Sequence, residues 1–332
     1  MFLALASLAL GVSLVVLGLL LIGPKRGPVA IRHTQRTAQH RVVPPPPAAA
    51  PRTRPAPEPR KPQPAEQPPL AFEEHLSDHE TLARDLAVVP EFRGKVTTPT
   101  APPARPETVQ GPSMVIVIDD LGDHPVLAKS LTELPFPITM AILPNRPRTQ
   151  YVASLAAKRG FEAILHQPMQ PISYPRVNPG PGALFTDMDA ARIKRLLTDN
   201  LAQVPSVVGI NNHMGSAFTE NAAGMAAVME VLKAKGLFFL DSVTSAKSAA
   251  PEAARVAGVP HYRRAVFLDN VRNVRAILGQ IKLAERLAKK RGRAIAIGHP
   301  YGETLEALRL WFKERDPRVH LVTLTQLGPE PE

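Results

Sequence analysis

The stretch that decides the fold is Met114–Asp123, which reads MVIVIDDLGD. Five apolar residues lead directly into two adjacent carboxylates, Asp119 and Asp120, and then into a loop that contains Gly122. A short apolar run rich in β-branched side chains is typical of a buried parallel strand. Two neighbouring acids at its end are costly to bury unless a cation or a catalytic task holds them there. The pair alone is equally compatible with solvated acids that cap a strand. The residues at the ends of later strands distinguish a functional pair from this alternative.

From Ser113 onward, strand-like and helix-like segments alternate along the chain. Apolar residues at helical spacing predict core-facing helices that include Ile193–Leu201, Met225–Leu232 and Val274–Ile281. Short apolar runs predict strands at Met114–Ile118, Ile138–Leu143, Glu162–Leu165, Val207–Ile210, Leu237–Leu240, Ala265–Leu268, Ala294–Ile297 and His320–Leu324. This alternation predicts a distorted or incomplete (β/α) barrel, with a doubly wound parallel sheet as the alternative.

Polar residues with metal-binding and acid–base chemistry gather at the C-terminal ends of the predicted strands. Six strands lead into such residues, which are Asp119-Asp120, His166, Asn211-Asn212-His213, Asp241, Asp269 and His299. Barrels and open α/β sheets hold their active sites at this edge. One Asp with two His residues is a common ligand set for Zn²⁺ that leaves a position for water. The pattern therefore predicts metal-assisted hydrolysis, with a second carboxylate and another His as base and acid.

Composition and missing motifs exclude several other classes. The chain has no cysteine, which removes disulfides, thiolate metal sites and cysteine nucleophiles. The sequence contains no GxSxG elbow, P-loop or GxGxxG fingerprint, so serine hydrolase and nucleotide-binding functions lack support. The net charge of +11 is concentrated in a proline-rich N-terminal segment with few aromatics, and we predict no nucleic-acid partner.

Six motifs taken together resemble the divergent polysaccharide deacetylases, relatives of the nodulation-type carbohydrate esterases. They are VIVIDDLG, LHQPMQP, NNHMGSAFT, FFLDSVTS, VFLDN and AIGHPYGETLEAL, and they span about Ser113–Leu327. The resemblance implies a distorted (β/α) barrel that removes N- or O-acetyl groups from a glycan with a divalent metal, here expected to be Zn²⁺. It also implies that Asp119 is the base and Asp120 a metal ligand.

The sequence departs from the superfamily at the next motif. The superfamily takes two metal histidines from one H-x3-H motif, whereas His166 is followed at that spacing by Gln170. His213, at the next strand end, is therefore predicted to be the third ligand beside Asp120 and His166. The late histidine of the superfamily, the expected general acid, resembles His299. Asp241 is predicted to orient that histidine or a substrate hydroxyl.

Five further residues are candidate substrate contacts: Asn212, Ser216, Asp269, Arg264 and His124. Each has a structural alternative, since Asn212 and Ser216 could shape a turn and His124 could be a surface residue. Asp269 with Asn270 could cap a helix that begins near Val271. Arg264 and Arg176 are the candidates for the superfamily's arginine.

The N-terminal third has a different composition. Phe2–Ile22 carries no charge and is about long enough to cross a bilayer. We predict that residues 1–23 form an uncleaved transmembrane or signal anchor, with a cleaved signal peptide as the alternative. Residues 24–112 hold 20 of the 37 prolines and predict a disordered linker. Residues 113–328 form the predicted catalytic domain.

Two signals conflict over membrane orientation. Lys25 and Arg26 begin a series of basic residues that favours a cytoplasmic location for the chain after the anchor. The resemblance instead implies an envelope enzyme, so we predict a single-pass protein of the inner membrane with a periplasmic domain and a glycan substrate. Two alternatives remain open: a non-catalytic envelope protein that binds glycan or a partner, and a metal-dependent hydrolase of another acyl or amide bond.

Overall fold

The computed structural model describes residues 110–330. Within this part, strands and helices alternate along the chain. The strands are β1 (Ser113–Leu121), β2 (Thr139–Ile142), β3 (Glu162–Met169), β4 (Gly209–Met214), β5 (Phe238–Asp241), β6 (His261–Arg263), β7 (Val266–Phe267), β8 (Arg293–Gly298) and β9 (His320–Leu321). The helices are α1 (Pro125–Leu131), α2 (Thr149–Arg159), α3 (Ala190–Gln203), α4 (Ala222–Lys235), α5 (Ala250–Ala257), α6 (Val274–Arg291), α7 (Gly302–Glu314) and α8 (Leu324–Leu327).

The strands form one parallel sheet in the order β6-β5-β4-β3-β2-β1-β8-β7, and β9 pairs with the start of β1. The two edge strands, β6 and β7, are consecutive in the chain. Between them, the Arg264 amide donates to the Asp241 carbonyl of β5 at 3.0 Å, and the Ala265 amide donates to the Ile295 carbonyl of β8 at 2.8 Å. Adjacent residues thus bond to both ends of the sheet, which therefore curves round on itself as an incomplete barrel. This confirms the barrel prediction over the doubly wound alternative.

Alternation along the strands separates two apolar layers. In β1, Ile116 and Ile118 pack in the large cluster that includes the helices, whereas Val115 and Val117 belong to the cluster inside the barrel. The inner cluster also contains Leu324 of α8, which lies near the N-terminal ends of the strands. The inward-facing residues are apolar along most of each strand and are polar at the C-terminal ends of the strands. The apolar core therefore leaves the C-terminal edge of the sheet as the place for a polar site.

Three predicted helices are confirmed as α3, α4 and α6, but several strand limits differ from the prediction. The third and fourth strands run on to Met169 and Met214, beyond their apolar runs, and the polar residues in these extensions are buried. The predicted last strand, His320–Leu324, is wrong at its end, since Leu324 begins α8. The strand predicted at Ala265–Leu268 is shorter, Val266–Phe267, and the three-residue strand β6 precedes it.

The structure tests the membrane prediction only in part. Among residues 110–330, no helix is both long and apolar enough to cross a bilayer. The predicted anchor at residues 1–23 and residues 24–109 of the predicted linker lie outside the described residues.

Two glycine substitutions test the packing. A Cβ on Gly209, at the start of β4, would lie 2.2 Å from the Cδ2 of buried Phe238, so Gly209→Ala should lower the free energy of unfolding by about 1–3 kcal/mol. Gly279 lies inside α6 with no described atom within 4 Å of such a Cβ. Gly279→Ala should therefore raise the free energy of unfolding by about 0.5–1 kcal/mol. Urea unfolding of both variants measures these changes. Equal changes in the two variants would contradict the close contact between Gly209 and Phe238.

Candidate metal centre

A bulge in β1 brings both aspartates to the same side of the sheet. Ile118 stands opposite Met140 and Leu121 opposite Ile142, so Asp119 and Asp120 together oppose one residue of β2. Adjacent side chains of a regular strand point to opposite faces, and a bulge of this kind redirects one of them. Asp120 adopts a left-handed backbone with φ of 54°, a conformation that Asp tolerates better than most residues. Both carboxylates are buried at the mouth of the barrel.

Asp120, His166 of β3 and His213 of β4 converge on one point. The Asp120 Oδ1 lies 3.0 Å from the His166 Nε2 and 2.8 Å from the His213 Nδ1, and the two ring nitrogens are 3.1 Å apart. Three donor atoms that each lie about 2.1 Å from one ion are necessarily separated by distances of this order. One carboxylate with two imidazoles suits Zn²⁺ and similar divalent ions. The three residues therefore fit a metal ion in both donor chemistry and spacing.

Gln170 occupies the place of the missing histidine but does not reach this cluster. Its Oε1 accepts hydrogen bonds from the Thr186 amide at 2.8 Å and from the Thr186 hydroxyl at 3.0 Å. Gln170 thus holds the loop after β3, while a histidine from β4 joins the cluster. The prediction that His213 replaces the second histidine of the motif has the geometry it needs.

His299 lies at the end of β8, on the other side of Asp120. Its Nδ1 bonds to the Asp269 Oδ1 at 2.9 Å, and its Nε2 is 3.8 Å from the Asp120 Oδ2. Asp269 also accepts the His299 amide and the Thr304 hydroxyl. These contacts correct the predictions for Asp241 and Asp269. Asp269, rather than Asp241, orients His299, because strand β7 delivers it beside β8. Both Asp269 oxygens bond to His299 or Thr304 instead of facing a substrate, and the alternative role as a helix cap belongs to Asn273.

The buried charges perturb one another. Burial raises the pKa of the Asp119 carboxyl, against the opposing effect of His166 and His299. Burial lowers the pKa of His213, although Asp120 opposes it. Burial alone would lower the pKa of His299, but Asp269, Asp120 and Asp119 outweigh it and raise that pKa to about 9. Such opposed shifts among neighbouring groups are typical of sites that transfer protons.

The cluster opens onto a cleft of about 430 Å³. Asp120 and His213 line this cleft, and so does His124, whose predicted contact with substrate stays a prediction. Asp123 and Arg146 also line the cleft and form an ion pair, with the Arg146 Nε 2.7 Å from the Asp123 Oδ2. The loop of residues 178–181 completes the lining. The structure thus gives the candidate centre direct access for a ligand.

Three other predicted substrate contacts have structural roles. Asn212 donates to the Met214 carbonyl and accepts the Ser242 amide, so it ties β4 to the end of β5. The Ser216 Oγ accepts the Ile172 amide, and Arg264 donates to the carbonyls of Ser242 and Val243. These bonds direct the polar atoms of these side chains to the backbone.

Asp241 and Arg176 also lie apart from the cluster. The Asp241 Oδ1 accepts the Val243 amide at 2.7 Å, within the turn that follows β5. Val243 has a φ of 56°, a strained value for a β-branched residue, and this bond holds the turn. Arg176 is exposed on the loop after β3.

Sequence reasoning missed the roles of Asn211 and Arg146. The Asn211 Oδ1 lies 2.8 Å from the His166 Nδ1, and its Nδ2 donates to the Asp119 Oδ1. Its position two residues before His213 could have indicated this, because such residues share one face of a strand. No comparable pattern marked Arg146, which reaches the cleft from a loop.

Comparisons with known proteins give a consistent result. The sequence pattern of a family described as divergent polysaccharide deacetylase matches residues 116–328. An uncharacterised protein of Escherichia coli K12, YibQ, is 36% identical over 241 residues, which cover 73% of this chain and 75% of that protein. An uncharacterised protein of Haemophilus influenzae is 35% identical over 214 residues, or 64% of this chain and 76% of its own.

A solved structure supports the same architecture. It is the crystal structure of an uncharacterised protein from Agrobacterium tumefaciens C58, with a TM-score of 0.64 and 28% sequence identity. The match covers 68% of this chain and 92% of that one. The likeness supports the architecture described above.

Two substitutions compare the alternative ligand sets. His213→Ala should lower the affinity for Zn²⁺ by at least tenfold, because it removes one of three donor atoms. Gln170→Ala serves as the control and should retain the affinity of the parent chain, since Gln170 bonds to Thr186 instead. Competition with a chromophoric chelator measures both. A loss with Gln170→Ala, and none with His213→Ala, would contradict the assignment.

Proposed function

Because the chain belongs to the divergent polysaccharide deacetylase family, we propose that it is a metal-dependent hydrolase that deacetylates a polysaccharide of the cell envelope or an exported polysaccharide. The observation that carries the proposal is the convergence of Asp120, His166 and His213 beside Asp119 and His299. Two of these residues, Asp120 and His213, line the open cleft through which a glycan could reach the ligand atoms.

Asp120, His166 and His213 would hold the ion, for which Zn²⁺ is our proposal. Such an ion would lower the pKa of water and polarise the acetyl carbonyl. Asp119 lies beside this position, with its Oδ2 3.7 Å from the His166 Nε2. Its Oδ1 accepts from Asn211, so the second oxygen is the one turned towards the ligand atoms. Asp119 is thus placed to accept the proton of an attacking water.

His299 approaches from the opposite side of Asp120 and would act as the general acid. The Asp269 carboxylate binds the Nδ1 hydrogen, which leaves the Nε2 to face the reacting groups. From there, the Nε2 can give its proton to the amine nitrogen or sugar oxygen that leaves. Asp119 would therefore act as the general base and His299 as the general acid, each beside the ligand cluster.

The cellular setting is a proposal drawn from the sequence. We propose a single-pass protein of the inner membrane, anchored by residues 1–23, with its domain on a long proline-rich tether in the periplasm. A tether of 89 residues, 24–112, would let the domain reach a glycan at a distance from the membrane. Envelope glycan is then the substrate within reach.

Substitution of the acid and the base tests the mechanism. Asp119→Asn and His299→Gln should each lower acetate release from acetylated glycans by about 10²–10⁴-fold, because proton transfer in the transition state is lost. Neither should remove the metal, since neither residue belongs to the ligand set. His320→Gln is the matched control, because His320 is exposed at the opposite end of the barrel. Its activity should equal that of the parent chain.

The same assay separates the rival functions. Acetylated glycans, simple esters and simple amides should be offered to the metal-loaded full chain. Cleavage of the esters or amides alone would identify another hydrolase. A chain that binds stoichiometric metal and releases no acetate from any substrate would identify a non-catalytic binding protein.

A reporter at the C-terminus tests orientation. Alkaline phosphatase fused after Glu332 should be active, because it folds only in the periplasm, and β-galactosidase at the same position should be inactive. The reverse pattern would follow the basic residues after the anchor and would contradict the envelope assignment.

A further inference from the structure

Asn211 is fully buried and bonds to two members of the site at once. Its Oδ1 is 2.8 Å from the Nδ1 of the proposed ligand His166. Its Nδ2 donates to the Oδ1 of the proposed base Asp119 at 2.8 Å and to the Ser242 hydroxyl at 3.2 Å. One amide therefore links a metal ligand, the base and the loop after β5.

These partners determine which way the amide points. Asp119 must be ionised to act as a base, and an ionised carboxylate can only accept a hydrogen bond. The Asn211 NH2 group therefore faces Asp119, and the Asn211 oxygen faces His166. The His166 Nδ1 must then carry a hydrogen, and in the neutral ring the lone pair lies on the Nε2. That nitrogen is the one that faces Asp120 and His213.

We propose that Asn211 is a positioning residue with two separable functions, an inference that rests on the proposed hydrolase mechanism. Its carbonyl arm keeps His166 in the tautomer that can bind a metal. Its amide arm holds one oxygen of Asp119 and leaves the other turned towards the ligand cluster. A ligand imidazole generally donates its second N–H to an outer partner, which sets ring orientation and basicity.

The register of β4 makes this arrangement possible. Asn211 pairs with His166 across the parallel ladder, so the two side chains stand next to each other on the inner face. Asn212 projects to the other face, where it bonds to Met214 and Ser242. The adjacent asparagines thus have similar burial and similar numbers of hydrogen bonds, but only Asn211 reaches the site.

Two substitutions separate the arms. Asn211→Asp keeps an acceptor for the His166 hydrogen but replaces the donor to Asp119 with an oxygen. Asn211→Leu keeps the branch point at Cγ and removes both arms. Asn212→Asp is the matched control, because it disturbs an equally buried amide on the same strand without touching His166 or Asp119.

The full chain and its variants should be compared by three measurements. Chelator competition gives the Zn²⁺ affinity, and nitrogen NMR of ¹⁵N-histidine-labelled chain gives the tautomer of neutral His166 without metal, with His166→Gln as the assignment standard. Acetate release gives the activity. Thermal unfolding of each variant shows whether it is folded.

Asn211→Leu should lower Zn²⁺ affinity by about 10–100-fold, as loss of an outer partner commonly does, and should give a mixture of tautomers. Asn211→Asp should keep the Nδ1–H tautomer of His166 and a Zn²⁺ affinity within about tenfold of the parent chain. Its rate of acetate release should nevertheless fall at least as far as that of Asn211→Leu. Asn212→Asp should change stability alone.

The inference is overturned if Asn211→Leu keeps both the tautomer and the affinity, or if Asn212→Asp lowers the affinity as much as Asn211→Leu. A parent chain that releases no acetate would refute the proposed function but would leave the tautomer and affinity comparison intact. A parent chain that binds no Zn²⁺ would refute the metal site, and the tautomer measurement would still decide the carbonyl arm.

Discussion

The bulge at the end of β1 is the constraint on which the site depends. It places Asp119 and Asp120 opposite a single residue of β2, so that both carboxylates enter the mouth of the barrel. In a regular strand, one of the two would point into the helical layer. Two buried acids so close together would repel each other strongly, and the surrounding histidines therefore become a structural requirement as well as a chemical resource. The bulge thus couples the backbone of β1 to the composition of the neighbouring strand ends.

The response to that charge is distributed over several strands. His166 and His213 lie within 3.0 Å of Asp120 from β3 and β4, and His299 approaches from the far side on β8. Each histidine that would act is itself oriented, His166 by Asn211 and His299 by Asp269. Because every one of these partners is buried, a change in one side chain alters the electrostatics of the whole cluster. The candidate site is better described as one network than as a list of ligands.

The passage of the chain from one edge of the sheet to the other explains the contacts of Asp269 and Asp241. The backbone bonds to β5 at Arg264 and to β8 at Ala265, the next residue. Strand β7 therefore runs beside β8, and the residues after it bring Asp269 to His299. Asp241, on β5, remains on the other side of that crossing and bonds within its own turn. A break in one strand thus decides which carboxylate orients the histidine. The spacing of the sequence motifs does not indicate this interruption between β6 and β7.

The sequence by itself determined the class of the fold, most strand positions and the identity of the converging residues. It could do so because alternating apolar runs and strand-end chemistry are local properties of the chain, as in VIVIDD. It also predicted that His213 would supply the ligand missing at Gln170, and the two residues lie as that prediction requires. The roles of Asp241, Asp269, Asn212 and Asn211 were decided only by the tertiary structure. Those roles depend on a bulge, a broken strand and the pairing register of β3 with β4, all of which arise from contacts between segments far apart in sequence.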